Sequence, residues 1–155
     1  MPKQFIRQFD ASTYKHHAKG IYSMAIRARG DFVFLRGQTG FDLDGQFIGR
    51  DDAGAQAEQA CKNIKQLVEE AGGDMRDVCK LTVYVTDVAY RPQVYAQIDN
   101  YFKDVHHCST GIVVNGLALP ELMVEIDAFA VIERPRRAPR PRVRTRVAAP
   151  TTTSM

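Results

Sequence analysis

The fold of this chain is decided by residues 57–87, which read AEQACKNIKQLVEEAGGDMRDVCKLTVYVTD. In the first half, apolar residues recur at steps of three and four, the spacing of one helical face. Gly72-Gly73 then supplies the residue type that ends helices in the left-handed conformation. Cys79 to Thr86 is rich in β-branched and aromatic residues. The stretch therefore predicts an amphipathic helix followed by a strand.

Further elements are predicted on both sides of this stretch. The helix is expected to begin at Asp51-Asp52, because Asp is a good N-cap and acids suit the first turn. A second helix is predicted over about Arg91 to Lys103, with a proline in its first turn. Gly30 separates two apolar runs and predicts a hairpin. The other predicted strands cover residues 5–9, 21–28, 32–36, 110–114 and 122–132.

The order β-β-β-α-β-α-β-β predicts a single α+β domain. Strands paired as hairpins, with two helices between them, favour a mixed β-sheet with both helices on one face. Phe32 to Leu35 is continuously apolar, which is typical of a strand covered on both faces. The second face of the sheet then needs a cover, and self-association is its simplest source.

The charge is divided unevenly along the 155 residues. The whole chain has a formal net charge of +3, but residues 134–155 hold seven arginines and no acid, which leaves −4 on residues 1–133. We predict a folded domain over 1–133 and a basic, Pro/Arg-rich disordered tail over 134–155. The tail would attract nucleic acid through phosphate charge. A solvating extension without a specific partner is favoured, since no aromatic residue lies among the arginines for base stacking.

Several function classes are disfavoured. No run of 18 apolar residues and no signal-peptide pattern is present, which predicts a cytoplasmic protein with no membrane partner. Three cysteines without CxxC spacing argue against a disulfide framework. A zinc site at His106-His107-Cys108 is disfavoured, because adjacent residues on an extended segment alternate faces and no second ligand pair is evident.

Segments in a fixed order along the body resemble the Rid family, the reactive-intermediate deaminases also called the YjgF family. The segments that carry the resemblance are Gly20-Ile21-Tyr22-Ser23, Phe32-Val33-Phe34-Leu35-Arg36-Gly37-Gln38, residues 63–72, residues 77–87, Leu119-Pro120 and Val124-Glu125-Ile126-Asp127-Ala128. The resemblance implies a chorismate-mutase-like fold and a homotrimer with an inner barrel and ligand clefts between subunits. It also implies hydrolytic deamination of enamines and imines, without a metal or organic cofactor.

The resemblance assigns candidate roles to individual residues. Glu125 matches the acid that holds the attacking water, Tyr22 a tyrosine of the cleft, and Gly37 a position whose backbone contacts ligand. Structural roles remain the alternatives: a paired strand-edge carboxylate, a core tyrosine and a strand-end glycine. Tyr95 is expected to be a packing residue.

The chain also departs from the family. Ser109 stands where the deaminating branch has an Arg that grips the substrate carboxylate, and Gly111 stands where that branch often has a Cys. A hydroxyl cannot replace a guanidinium. Arg36 or Arg91 could supply a relocated positive charge; the alternatives are an interface ion pair and a solvated helix terminus. The substrate-binding candidates are Tyr22, Arg36, Gly37, Arg91, Ser109 and Gly111.

Three functions stay open at this point. The first is deamination of small enamines and imines by water held at Glu125. The second is hydrolysis of another carbon–nitrogen bond in a catabolic pathway, which the lost Arg favours. The third is a non-catalytic trimer that binds a small metabolite.

Overall fold

The computed structural model describes residues 3–10, 12 and 21–133. The predicted tail over 134–155 lies outside the described residues. The strands are β1 Gln4–Gln8, β2 Ser23–Arg27, β3 Asp31–Phe34, β4 Val78–Val85, β5 Cys108–Val113 and β6 Val124–Ile132. The helices are α1 Ala53–Glu70 and α2 Arg91–Tyr101, and short 3-10 turns at Met75–Asp77 and Val88–Tyr90 precede β4 and α2.

The predicted mixed sheet with two helices is confirmed. Four strands pair in the order β3-β6-β4-β5, with β4 and β5 parallel and the other pairs antiparallel. β1 and β2 form an antiparallel pair, and a single parallel bridge between Tyr22 and His107 links that pair to the edge at β5. Alternate residues of β4 and β6 join residues of α1 and α2 in one core. Both helices therefore cover the same face.

α1 begins and ends where its sequence predicts. The Asp52 carboxylate accepts a hydrogen bond of 2.9 Å from the Ala55 amide and caps the first turn. Gly72, just beyond the helix, has a φ of +89°, a left-handed conformation that glycine adopts without strain. The predicted apolar stripe is buried apart from Leu67, which is partly buried, and Ala71, which lies exposed at the C-cap.

The predicted hairpin at Gly30 is wrong. β2 pairs with β1, and β3 pairs with β6 at the opposite edge of the sheet. Gly30 packs against the end of β6 so closely that a Cβ would lie 2.0 Å from the Ile132 carbonyl oxygen. The glycine therefore permits a crossing between strands rather than a tight turn. β5 and β6 are also not paired with each other, because β4 lies between them and pairs with both.

One face of the sheet is open in the single chain. Phe32 and Phe34 are 67% and 74% exposed, and Phe34 packs edge-on against Phe129 at a centroid distance of 5.5 Å. The prediction that β3 is covered on both faces is therefore wrong for one chain. We call the surface formed by Phe32, Phe34 and Phe129 the open aromatic face.

Neither helix of the described residues combines the length and apolar character that crossing a bilayer requires.

Candidate functional site

The predicted site residues fall into two separate cavities. The first, of about 840 Å³, is lined by Arg36, Gly37 and Glu125 among others, and we call it the Glu125 cavity. The second, of about 350 Å³, is called the Arg91 pocket. The predicted residues that line it are Tyr22, Arg91, Ser109 and Gly111.

A bulge between β3 and β6 shapes the Glu125 cavity. The Leu35 amide donates to the Ala128 carbonyl and the Gln38 amide donates to the Ile126 carbonyl. Arg36 and Gly37 together therefore oppose a single residue of β6, the definition of a bulge. The bulge interrupts the ladder beside Glu125, and both of its residues line the Glu125 cavity.

Gly37 leaves the space that the Glu125 carboxyl group occupies. A Cβ at residue 37 would lie 1.9 Å from Glu125 Oε1, which is well inside van der Waals contact. The backbone of the bulge and the carboxyl group are therefore direct neighbours. Any side chain at residue 37 would displace the carboxyl group.

The surroundings of Glu125 favour its protonated form. Burial raises the pKa of this carboxyl above its ordinary value, the negative charge of Asp127 raises it further, and Arg36 opposes the rise. Asp127 accepts a hydrogen bond of 3.3 Å from the Tyr84 hydroxyl. A carboxylate with a raised pKa accepts a proton more readily than an ordinary one, which is the property a general base needs.

In the Arg91 pocket, a guanidinium group lies over Gly111. The Arg91 guanidinium carbon is 4.8 Å from the centroid of the Tyr95 ring, a cation–π distance. A Cβ at residue 111 would meet Tyr95 Oη at 2.4 Å and Arg91 Nη1 at 2.5 Å. The missing side chain at Gly111 is therefore what lets both groups reach the strand. Tyr95 packs against the core, as predicted, but its hydroxyl also faces the pocket.

Ser109 and Tyr22 complete the polar lining. The Ser109 hydroxyl is buried and has no hydrogen-bond partner among the described residues. The Tyr22 hydroxyl donates to Asp99 over 3.5 Å, and its ring packs edge-on against His107 at 5.2 Å. Burial first, and then the Asp99 charge, raise the pKa of Tyr22, so the phenol stays protonated. Burial lowers the pKa of His107 to about 4 and keeps that imidazole neutral.

Lys80 is a pocket residue that sequence reasoning missed. Its ammonium group hydrogen-bonds to Thr110, and both side chains line the Arg91 pocket. The two residues become neighbours only through the parallel pairing of β4 with β5, in which Lys80 is opposite Cys108. No local pattern in the sequence signals that register.

The two cavities lie toward opposite edges of the sheet. β3 and β6 border the Glu125 cavity, whereas β5, the strand at the other edge, lines the Arg91 pocket with residues from both of its faces. None of the described residues lines both cavities. A single chain therefore brings Glu125 together with Arg36 and Gly37, but it does not bring Glu125 to Arg91.

These features define a class: small single-domain α+β proteins with a mixed sheet, two helices on one face and two separate cavities. A family model described as Endoribonuclease L-PSP matches residues 13–132. The chain belongs to this family, which is also called the Rid or YjgF family.

Curated relatives and solved structures agree with this assignment. A RutC family protein of Pyrococcus horikoshii is 36% identical over 117 residues, covering 74% of this chain and 89% of the relative. The Rid family protein YyfB of Yersinia pestis, whose function is described as unknown, is 27% identical with a TM-score of 0.72, covering 85% of this chain and all of that one. RidA of an Antarctic Psychrobacter is 32% identical with a TM-score of 0.60, covering 75% and 92%.

Proposed function

We propose that this protein hydrolyses small reactive enamines and imines to a carbonyl compound and ammonia. The observation that supports this most directly is the Glu125 carboxyl group, which has a raised pKa and lies against the Gly37 backbone in an open cavity. Membership of the Rid family supports the same chemistry.

The reaction needs one positioned water and one proton acceptor. The enamine tautomerises to its imine, and the Glu125 carboxylate takes a proton from a water as the water oxygen bonds to the imine carbon. That proton passes from Glu125 to the nitrogen and gives a carbinolamine. The hydroxyl proton then moves to the nitrogen, the carbon–nitrogen bond breaks, and ammonia leaves as the carbonyl forms. Each tenfold gain in rate requires only about 1.4 kcal/mol of barrier reduction, so positioning by the bulge and general-base help together suffice for a reactive imine.

We further propose that the working site forms between copies of the chain in a homotrimer. Two observations support this. The open aromatic face leaves large apolar side chains in water, which a second copy would cover. The Glu125 cavity and the Arg91 pocket lie toward opposite edges of the sheet and share no lining residue among those described, so a neighbouring copy is needed to place one beside the other.

Ammonia release tests the reaction. Freshly generated 2-aminoacrylate is expected to release ammonia faster with the wild-type protein than in buffer alone. A rate equal to that of buffer would contradict the proposed deamination. Binding of the product pyruvate without any rate gain would instead support the non-catalytic alternative.

The pH profile of kcat/KM is expected to report the surroundings of Glu125. The active form is the carboxylate, so kcat/KM should fall as the pH drops through a pKa that lies above the ordinary value for glutamate. Asp127→Asn removes a like charge and should move this acidic limb to lower pH. Arg36→Gln removes the opposing cation and should move the limb to higher pH.

The two shifts are measured from initial rates over a pH series, with protein integrity checked by circular dichroism at each pH. Tyr84, which is also influenced by the Glu125 charge, keeps its own proton throughout because its pKa is raised. Shifts in the same direction for both variants would rule Glu125 out as the titrating group.

A further inference from the structure

We propose that Arg91, positioned by Tyr95 over Gly111, is the anion-binding group of this protein and takes the carboxylate of a small 2-imino acid. This inference rests on the proposed function for its choice of substrate, but the anion site itself stands on the Arg91 pocket. It assigns the guanidinium to the first residue of α2, rather than to the strand position that Ser109 occupies.

The charge balance of the Arg91 pocket favours an anion. Arg91 and Lys80 carry positive charge, and no acidic side chain of the described residues lines the pocket. The nearby Asp99 carboxylate accepts a hydrogen bond from the Tyr22 hydroxyl. The buried Ser109 hydroxyl adds a donor with no partner among the described residues. A guanidinium binds a carboxylate through two parallel N–H bonds, a geometry that an ammonium group cannot match. The lining therefore offers the Arg91 guanidinium, which can form two hydrogen bonds to a carboxylate, together with the Lys80 ammonium group and the Ser109 hydroxyl.

The Tyr95 ring holds the guanidinium in place. A cation stacked on an aromatic face keeps the N–H groups at its edge directed away from the ring, where a carboxylate can reach them. Gly111 leaves space for both side chains, because Tyr95 Oη and Arg91 Nη1 lie where a Cβ at that residue would be. The glycine and the tyrosine are thus positioning residues for Arg91.

The apolar part of the pocket lining indicates which group accompanies the carboxylate in the ligand. Phe9 and Met24 contribute apolar surface to a cavity of about 350 Å³, which suits a short alkyl substituent beside the carboxylate. The corresponding product is a small 2-oxo acid, and 2-oxobutyrate serves as a stable probe that needs no turnover.

Binding of 2-oxobutyrate to the full-length protein, measured by titration calorimetry, tests the assignment. Arg91→Met is expected to raise the Kd by about 10- to 100-fold, the range for a lost charge-assisted bond. Arg91→Lys should recover part of this loss. Arg76→Met is the matched control and should leave the Kd unchanged, since it removes an exposed guanidinium that pairs with Asp74 and does not line the Arg91 pocket.

The positioning residues are tested by small changes. Gly111→Ala displaces only the ends of two flexible side chains, so the variant should fold but bind 2-oxobutyrate more weakly. Tyr95→Leu should also raise the Kd, whereas Tyr95→Phe keeps the ring and should stay within about twofold of wild type. The neutral amide 2-oxobutyramide should bind wild type and Arg91→Met equally.

The outcomes separate this inference from the proposed reaction. The wild-type protein could release no ammonia above the buffer rate while Arg91→Met loses 2-oxobutyrate binding. That pair of results would support the anion site and contradict the proposed deaminase activity. Unchanged affinity in Arg91→Met, equal weakening of acid and amide, or no binding to the wild-type protein would each overturn the anion site.

Discussion

Glu125→Gln is expected to lower the rate of ammonia release from 2-aminoacrylate by at least about 100-fold relative to wild type, after subtraction of the buffer rate. The amide has nearly the same shape as the carboxylate and fits the space above Gly37, but it cannot accept a proton from water. The loss should appear in kcat more than in KM, because the substrate-binding candidates of the Arg91 pocket are untouched.

The variant should fold normally, and the pKa of the wild-type residue explains why. A raised pKa means that the charged carboxylate is less favourable in the folded chain than in the unfolded chain. Wild-type stability therefore falls as the pH rises from the ordinary pKa of glutamate through the raised one, and the neutral amide avoids this loss. Glu121→Gln in the loop before β6 is the control and should keep full activity. An active Glu125→Gln protein would remove Glu125 from the mechanism.

Phe34→Glu is expected to prevent formation of the proposed homotrimer, to leave monomers and to abolish ammonia release. Phe34 is 74% exposed in the single chain and belongs to the open aromatic face, where it contacts Phe129. A carboxylate there would have to be buried without a partner on association, which costs several kcal/mol. The substitution removes little packing within one chain, so the monomer should remain folded.

Light scattering, far-ultraviolet circular dichroism and the ammonia assay together check this expectation. Gln66→Glu adds the same charge on the exposed side of α1 and should leave mass and activity as in wild type. A wild-type protein that is a stable monomer, or a Phe34→Glu monomer with full activity, would contradict a site built between copies.

Local pattern was sufficient for the helices and strands but not for their pairing. α1 was predictable because its cap, its apolar stripe and its terminal glycine all lie within one stretch of sequence. The hairpin at Gly30 failed because an isolated glycine permits close approach as readily as it permits a turn. What decided the outcome was contact with the end of β6, about a hundred residues further along the chain.

In the candidate site, too, some contacts could be predicted from the sequence and others depend on how distant elements pack. The resemblance assigned both Gly37 and Glu125 to a ligand site, and the two residues are direct neighbours in the structure. The contact of Arg91 with Gly111 could not be predicted, because it depends on where α2 crosses β5 and on the absence of a side chain. A glycine in a strand is a signal for close approach, but the sequence does not name the approaching group.

Mixing two variants, each of which lacks one of the two groups, tests most directly whether two copies build each site. Arg91→Met and Glu125→Gln chains, unfolded together in equal amounts and refolded, would form mixed trimers. Where one copy supplies Glu125 and its neighbour supplies Arg91, about a quarter of the interfaces would hold both intact groups. The account predicts recovery of about that fraction of the refolded wild-type rate. Activity no higher than that of either variant refolded alone would contradict it.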